Sequence, residues 1–412
     1  MKITVHRPNQ IGGCITEIES ESGARIIIDV GSNLKGSKGE EVYVKELTKG
    51  CDGVFITHYH GDHIGEFGKV DENVPIHMGE IAHKIFLNLC VTIRSKNVDA
   101  ARDFKTFRIK DRIQMGDMVI TPYRVDHSAY DSYMFLIECD GMKILHTGDF
   151  RTHGLTGSRL NDMLKYYVGK VDVLICEGTM LSSERKGAKM YTERDLYRDA
   201  KKLMQSNKNV FVLCSSTNID SMASFYKAAI ETGKVIAADV YQCSNFDIVT
   251  EDMKTDTKVS GIYDFKRKTI YTYSSKKPNL NKRMQEDGFC MFIRAKQFFK
   301  GVLRRFPDNL LIYSMWDGYL KEGESYTDPG LIAFLDWARA NGSNVLSLHT
   351  SGHAYEDAII EVCGITRPDV IFPIHSQNPG RFEELAKEQK IGGIVRRLES
   401  KERVDPKKII RE

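Results

Sequence analysis

The 412 residues carry 59 Lys and Arg against 56 Asp and Glu, a net charge of +3, with 41% hydrophobic and 28% charged residues. That balance excludes a polycation and a disordered chain, and the length suits two or three domains with real cores. The nine cysteines are dispersed, odd in number and never in a CxxC pair, which excludes a disulfide framework and predicts reduced thiols in a cytoplasmic protein. No signal core or run of about 20 apolar residues occurs, so no membrane partner is expected.

Residues 2–6 alternate as a strand, and 11–15 and 24–31 read as two more, the second pair joined as a hairpin near Ser22-Gly23. Gly53-Val54-Phe55-Ile56 is a short apolar run that reads as a buried strand. It ends in Thr57-His58-Tyr59-His60-Gly61-Asp62-His63. Side chains alternate in an extended segment, so His58 and His60 can face the same way, and Gly61 lets the chain turn to bring Asp62 and His63 alongside. Imidazole nitrogens with a carboxylate oxygen form a donor set that zinc accepts while keeping a position open for water. A chance surface cluster of histidines would not need the strand, the turn glycine and the mixed donors together.

A helix is predicted over 79–90 from Ile81, Ile85 and Leu89; His77 and His83 nearby are not assigned to the metal. Strands over 117–125 and 132–139 flank Val125-Asp126-His127-Ser128, and a strand from Lys143 to His146 runs into Thr147-Gly148-Asp149. Taken singly, His127 reads as a loop histidine and Asp149 as a turn or cap residue. Both follow apolar strands as His58 does, and strand ends are where sheet proteins gather site residues. Another strand, 171–176, ends at Glu177.

The pattern then becomes α/β: helix over 192–206, strand over 209–213, the polar turn Ser215-Ser216-Thr217-Asn218, helix over 219–232 and strand over 235–238. A small polar turn at a helix start suits a phosphate, and plain capping of that helix explains it equally well. From Lys254 to Arg305 there are fourteen Lys or Arg against four Asp or Glu, interleaved with Tyr263, Phe265, Tyr271, Tyr273, Phe289, Phe292, Phe298 and Phe299. Taken singly, many of these residues read as a solvated basic face with the rings in the core; the local excess of charge favours a polyanion partner, with the cations on phosphates and rings on unpaired bases. A strand over 309–313, a helix near 329–340 and a strand over 344–348 follow, and His349-Thr350-Ser351-Gly352-His353-Ala354 opens a helix. Strand 370–374 ends at His375, and the charged tail from 400 is expected to fray.

The HxHxDH run His58–His63, followed by His127 and Asp149, resembles the signature of the metallo-β-lactamase superfamily. Glu177, Ser351-Gly352-His353-Ala354 and Pro373-Ile374-His375 are similar to the extra motifs of its β-CASP branch. His146-Thr147-Gly148-Asp149-Phe150 and Thr350–Ala354 look most like the ribonuclease J group, without its C-terminal domain. The resemblance implies an αββα sandwich with an inserted β-CASP α/β cap over the metal site. The domains would be 1–190 and 341–412 for the sandwich and 191–340 for the insert. It further implies two zinc ions per chain, with manganese as the alternative. His58, His60 and His127 would hold one ion, Asp62, His63 and His375 the other, and Asp149 would bridge.

Asp62, Glu177 and His353 are the implied catalytic residues. Glu177 would orient His353, which would stabilise the scissile phosphate or protonate the leaving oxygen, unless both merely support the ligands. Ser215, Ser216, Asn218, Ser351, Gly352 and His353 are the expected substrate contacts. A histidine in the last motif is typical of RNA-processing members of the branch. The expected activity is therefore two-metal hydrolysis of single-stranded RNA, endonucleolytic or from the 5′ end, with a homodimer as one expected assembly. A lactonase or thioesterase of the same superfamily and a non-catalytic RNA-binding scaffold are the competing readings.

Overall fold

The computed structural model describes residues 1–34, 37, 39–181, 190–253, 263, 265–323 and 326–411, the Met253 side chain excepted. They form two compact units, one from Met1–Met190 with Gly352–Glu412 and the other from Tyr191–Ser351.

The first unit holds two seven-stranded sheets. One takes β1 (Lys2–Val5), β2 (Thr16–Glu19), β3 (Arg25–Ile28), β4 (Gly53–Phe55), β5 (Ile76–Gly79) and β6 (Lys105–Phe107) as consecutive neighbours. The other takes β7 (Ile113–Met115), β8 (Met118–Val125), β9 (Ser132–Cys139), β10 (Met142–His146) and β11 (Val173–Glu177) in sequence. Alternate residues of both sheets meet in one core: Ile3, Ile18, Ile26, Ile28 and Phe55 from the first, Ile120, Phe135, Ile137, Ile144 and Ile175 from the second. The opposite face of the second sheet, through Leu136, Leu145 and Leu174, packs on Ile359 and Val362 of the helix Glu356–Thr366 and on Phe382 and Leu385 of the helix Gly380–Lys387. This is a sheet-on-sheet sandwich with helices outside.

The second unit is a single sheet of parallel strands: β12 (Asn209–Cys214), β13 (Val235–Ala238), β14 (Ile270–Thr272), β15 (Phe289–Ile293), β16 (Asn309–Ser314) and β17 (Ser343–Ser347). Such strands are buried on both faces, which is why Phe289-Cys290-Met291-Phe292-Ile293 is apolar without alternation. The preceding helix, Glu193–Ser206, opens on a reciprocal cap between Thr192 and Asp195. β17, expected in the sandwich segment 341–412, pairs instead with β16 and belongs to this sheet.

In the first unit β18 (Val370–Ile374) pairs in parallel with β11, and β19 (Ile394–Val395) lies beyond it. The tail does not fray: β20 (Arg403–Val404) pairs with β1, and Pro406–Arg411 is a helix that packs Ile409 on the core. Residues 11–15 are not a strand, because Gly12 and Gly13 both take positive φ and the ladder begins only at Thr16. Residues 349–355 are likewise not yet helix; the predicted helix start moves to Glu356. Among the described residues no helix is long and apolar enough to cross a membrane.

Candidate metal centre

The site is built by strand direction. β3 and β4 run parallel with Ile28 opposite Phe55, so Asp29 and the segment from Thr57 emerge together. β10, β11 and β18 are also parallel, with His146 opposite Ile175 and Glu177 opposite Ile374. Asp149, Glu177 and His375 therefore leave the second sheet at one edge. β8 is antiparallel to β9 and ends at Val125 opposite Ser132, which puts His127 at that edge as well. Carboxyl ends of parallel strands are where open sheets present ligand sites.

The histidines converge. His60 Nδ1 lies 3.1 Å from His58 Nε2 and 3.2 Å from His127 Nε2. Asp149 Oδ2 is 3.1 Å from His63 Nε2, 3.8 Å from His58 Nε2 and 4.0 Å from His127 Nε2. Its Oδ1 is 3.8 Å from His375 Nδ1, and His375 Nε2 is 3.2 Å from Asp62 Oδ2. His353 Nδ1 sits 3.5 Å from Asp149 Oδ2 and 3.3 Å from Glu177 Oε2. Four groups of candidate ligand atoms at this edge lie within 4.8 Å of one another: His58, His60 and His127; His58, His63 and Asp149; Asp149, Glu177, His353 and His375; and Cys14, His63 and His375. Asp62 falls in none of these groups, and Cys14, a residue with no ligand motif around it in the sequence, falls in one.

Groups behind the histidines orient them. Asp29 accepts from His63 Nδ1 at 2.7 Å and from the Thr57 amide at 2.8 Å. His127 Nδ1 donates to the Gly352 carbonyl at 2.6 Å. Thr179 Oγ1 lies 2.7 Å from His375 Nδ1 and donates to the His375 carbonyl. Glu177 Oε1 accepts from the amides of Phe150 and Ala354 at 3.0 and 3.2 Å. Asp29 and His375 both hold positive φ, a conformation that non-glycine residues keep only where surroundings over-determine it.

The electrostatics fit a cation. Burial, then the neighbouring His63 and His127, push His58 well below the ordinary imidazole range, and burial brings His60 down to about 4. Both are neutral and ready to donate lone pairs. Burial works against charge on His63, but Cys14, Asp149 and Asp29 outweigh it and hold that ring well above its usual value. Burial also opposes charge on Asp149, and His375, His63 and His353 overcome it, keeping the carboxylate ionised. Without an ion a second proton on His63 answers the negative field; a bound cation would answer it instead. Among the described residues Asp149 Oδ1, in a side chain only 2% exposed, has no hydrogen-bond partner, and His63 Nε2 stands 3.1 Å from Oδ2 of the same carboxylate. Buried polar atoms held in this way are what a ligand shell offers to a metal ion.

The expected substrate contacts are divided. Asn218 caps the helix Ile219–Glu231 by accepting from the Ser221 amide at 3.2 Å, and Ser216 is buried under Gln242 and Asn245. Ser215 is exposed, with its hydroxyl 2.9 Å from that of Thr217. Ser351 and Gly352 lead directly into His353. In the basic segment, residues 254–262 and 264 lie outside the described residues. Of its rings, Tyr263, Phe265, Tyr273, Phe289, Phe292 and Phe299 are buried in the fold and cannot stack on bases, whereas Phe298 is 55% exposed. Arg294 and Arg267 are paired to Asp239 and Asp247.

Residues 24–204 match the family model described as "Beta-lactamase superfamily domain". The chain is similar to ribonuclease J of Mycoplasma pneumoniae, 23% identical over 360 residues, covering 81% of this chain and 59% of that one. It is similar also to ribonuclease J of Mycoplasma genitalium, 21% identical with 79% and 57% covered. The chain thus spans somewhat under three fifths of the length of these relatives. A crystal structure of a protein of unknown function from Enterococcus faecalis V583 superposes with a TM-score of 0.73 at 19% identity, covering 98% of this chain and 99% of that one, a likeness of fold.

Proposed function

We propose that this chain, whose residues 24–204 match the beta-lactamase superfamily model, is a metal-dependent ribonuclease that hydrolyses single-stranded RNA. The observation that carries the reading is the convergence of His127, Asp149, His353 and His375 on the cluster begun by His58, from points up to 317 residues apart (375 − 58). The similarity to proteins named ribonuclease J supports RNA as the substrate.

His58, His60 and His127 would hold one ion, and Asp62, His63 and His375 the other, with Asp149 between them. Two such ions, zinc in the first place and manganese as the alternative, would when bound supply charge stabilisation at phosphorus and lower the pKa of an attacking water to about 7. The remaining work belongs to side chains. Glu177, fixed by two backbone amides, would orient the His353 ring, whose Nδ1 lies 3.3 Å from its Oε2. His353 would then serve as the proton donor to the leaving oxygen. Ser351 and Gly352 would contact the phosphate beside it, and the turn Ser215-Ser216-Thr217-Asn218 would meet an end phosphate through the exposed Ser215. The unit Tyr191–Ser351 is proposed as a β-CASP insert, cleavage as endonucleolytic or 5′-to-3′, and the protein as cytoplasmic.

End-labelled RNA bearing a 5′-monophosphate, 5′-triphosphate or 5′-hydroxyl, incubated with the metal-loaded protein beside ester and lactam substrates, tests this. Cleavage of RNA that is lost in Asp149→Ala, with RNA affinity kept, is expected. Intact RNA with turnover of esters would point instead to a small-molecule hydrolase.

A further inference from the structure

We propose that Cys14 is a thiolate ligand of the second metal position, completing with His63 and His375 a sulfur–nitrogen donor set that selects zinc or cobalt over manganese. The proposal rests on the metal-centre part of the reading above and not on the substrate.

Three observations carry it. First, one donor atom each from Cys14, His63 and His375 lies within 4.8 Å of the other two. Tetrahedral zinc with sulfur at about 2.3 Å and nitrogen at about 2.0 Å brings such atoms to about 3.5 Å, so a small inward movement completes the site. Second, both imidazoles are anchored through Nδ1, which leaves Nε2 as the nitrogen for a metal. His63 spends Nδ1 on Asp29, and its Nε2 lies 3.1 Å from Asp149 Oδ2. His375 has Nδ1 against Thr179 and Nε2 3.2 Å from Asp62 Oδ2. Third, the backbone holds Cys14 in position. Its amide donates to the Asp62 carbonyl at 2.9 Å and its carbonyl accepts from Gly31 at 2.9 Å. A Cβ on Gly31 would stand 1.7 Å from the Asp62 carbonyl oxygen and 2.7 Å from the Cys14 amide nitrogen. Glycine alone lets these three strands of backbone approach so closely.

The other eight cysteines are buried, while Cys14 is partly exposed, as a ligand at an open centre should be. Binding would release the thiol proton to solvent. A soft thiolate favours zinc and cobalt, whereas manganese prefers carboxylate and water.

The test is a cobalt(II) titration of the metal-free protein and of Cys14→Ser, followed by absorption. The wild type should develop both ligand-field bands and a thiolate-to-cobalt charge-transfer band. Cys14→Ser should keep the ligand-field bands and lose the charge-transfer band. In the wild type, zinc should protect Cys14 from alkylation as read by peptide mass, which frees the proposal from the folding of the variant. A charge-transfer band surviving in Cys14→Ser, ligand-field bands without charge transfer in the wild type, or unprotected Cys14 would overturn it. Absence of any cobalt binding would overturn the metal centre with it. Charge transfer in a protein that leaves RNA intact would uphold Cys14 and remove the ribonuclease reading alone.

Discussion

His127 donates its Nδ1 proton to the carbonyl of Gly352, 225 residues further along the chain, at 2.6 Å. A carbonyl only accepts, so this bond fixes the tautomer and leaves Nε2 as a lone pair facing His60. A Cβ on Gly352 would lie 2.6 Å from Ser128 Oγ and 3.1 Å from His127 Cε1. Gly352→Ala is therefore expected to displace the His127 ring and weaken the first metal position by about 10- to 100-fold, the usual cost of disturbing a ligand's support. Competition with a chromophoric chelator reads it directly.

Asp29 plays the same part for His63. Asn tolerates the positive φ at this position and keeps an oxygen for the Thr57 amide, so Asp29→Asn should fold. It loses the charge that makes the ring a strong donor. Metal affinity at the second position should fall about 10- to 100-fold with little change in melting temperature.

His353 and Glu177 separate catalysis from binding. His353→Gln should lower kcat by about a hundredfold or more while metal content and KM stay near wild type. Glu177→Gln, which keeps an oxygen for the Phe150 and Ala354 amides, should lower kcat less than His353→Gln does, again at unchanged metal content. Wild-type kcat in both variants would reduce the pair to scaffolding.

His146 gives a stability signature in the metal-free protein. Burial, reinforced by the nearby His63, lowers it from 6.5 to about 3, and it accepts from the Gly148 amide while contacting Thr16. The unfolded chain therefore binds the proton that the folded chain refuses between those two values. Stability should fall as pH drops from about 6.5 toward 3, and rise with pH across the same window. His146→Asn keeps an acceptor for Gly148 and should flatten this dependence in urea melts of the metal-free protein.

Much of the site was legible because ligand types cluster at strand ends. His58, His60 and His63 share a six-residue run, and His127, Asp149 and His375 each follow an apolar strand. What could not be read was registration in space. Cys14 lies in a glycine-rich loop that reads as a strand, and nothing in the sequence ties it to His375; backbone bonds to Asp62 and Gly31 set its place. Asp29 likewise passed as the end of a strand. The aromatic residues of the basic segment pointed to base stacking because composition does not tell which face a ring occupies; Phe289 and Phe292 lie in a strand buried on both faces. The three-residue strands β6 and β7 carry too little pattern to be found in sequence and are made by their neighbours in the sheet.

The most direct measurement is anomalous diffraction at the zinc edge from crystals of the zinc-loaded protein. Two peaks are predicted, one among His58, His60 and His127 and one against His63 and His375, with Asp149 reaching both. No peak at these residues in a fully loaded crystal would contradict the account at its root.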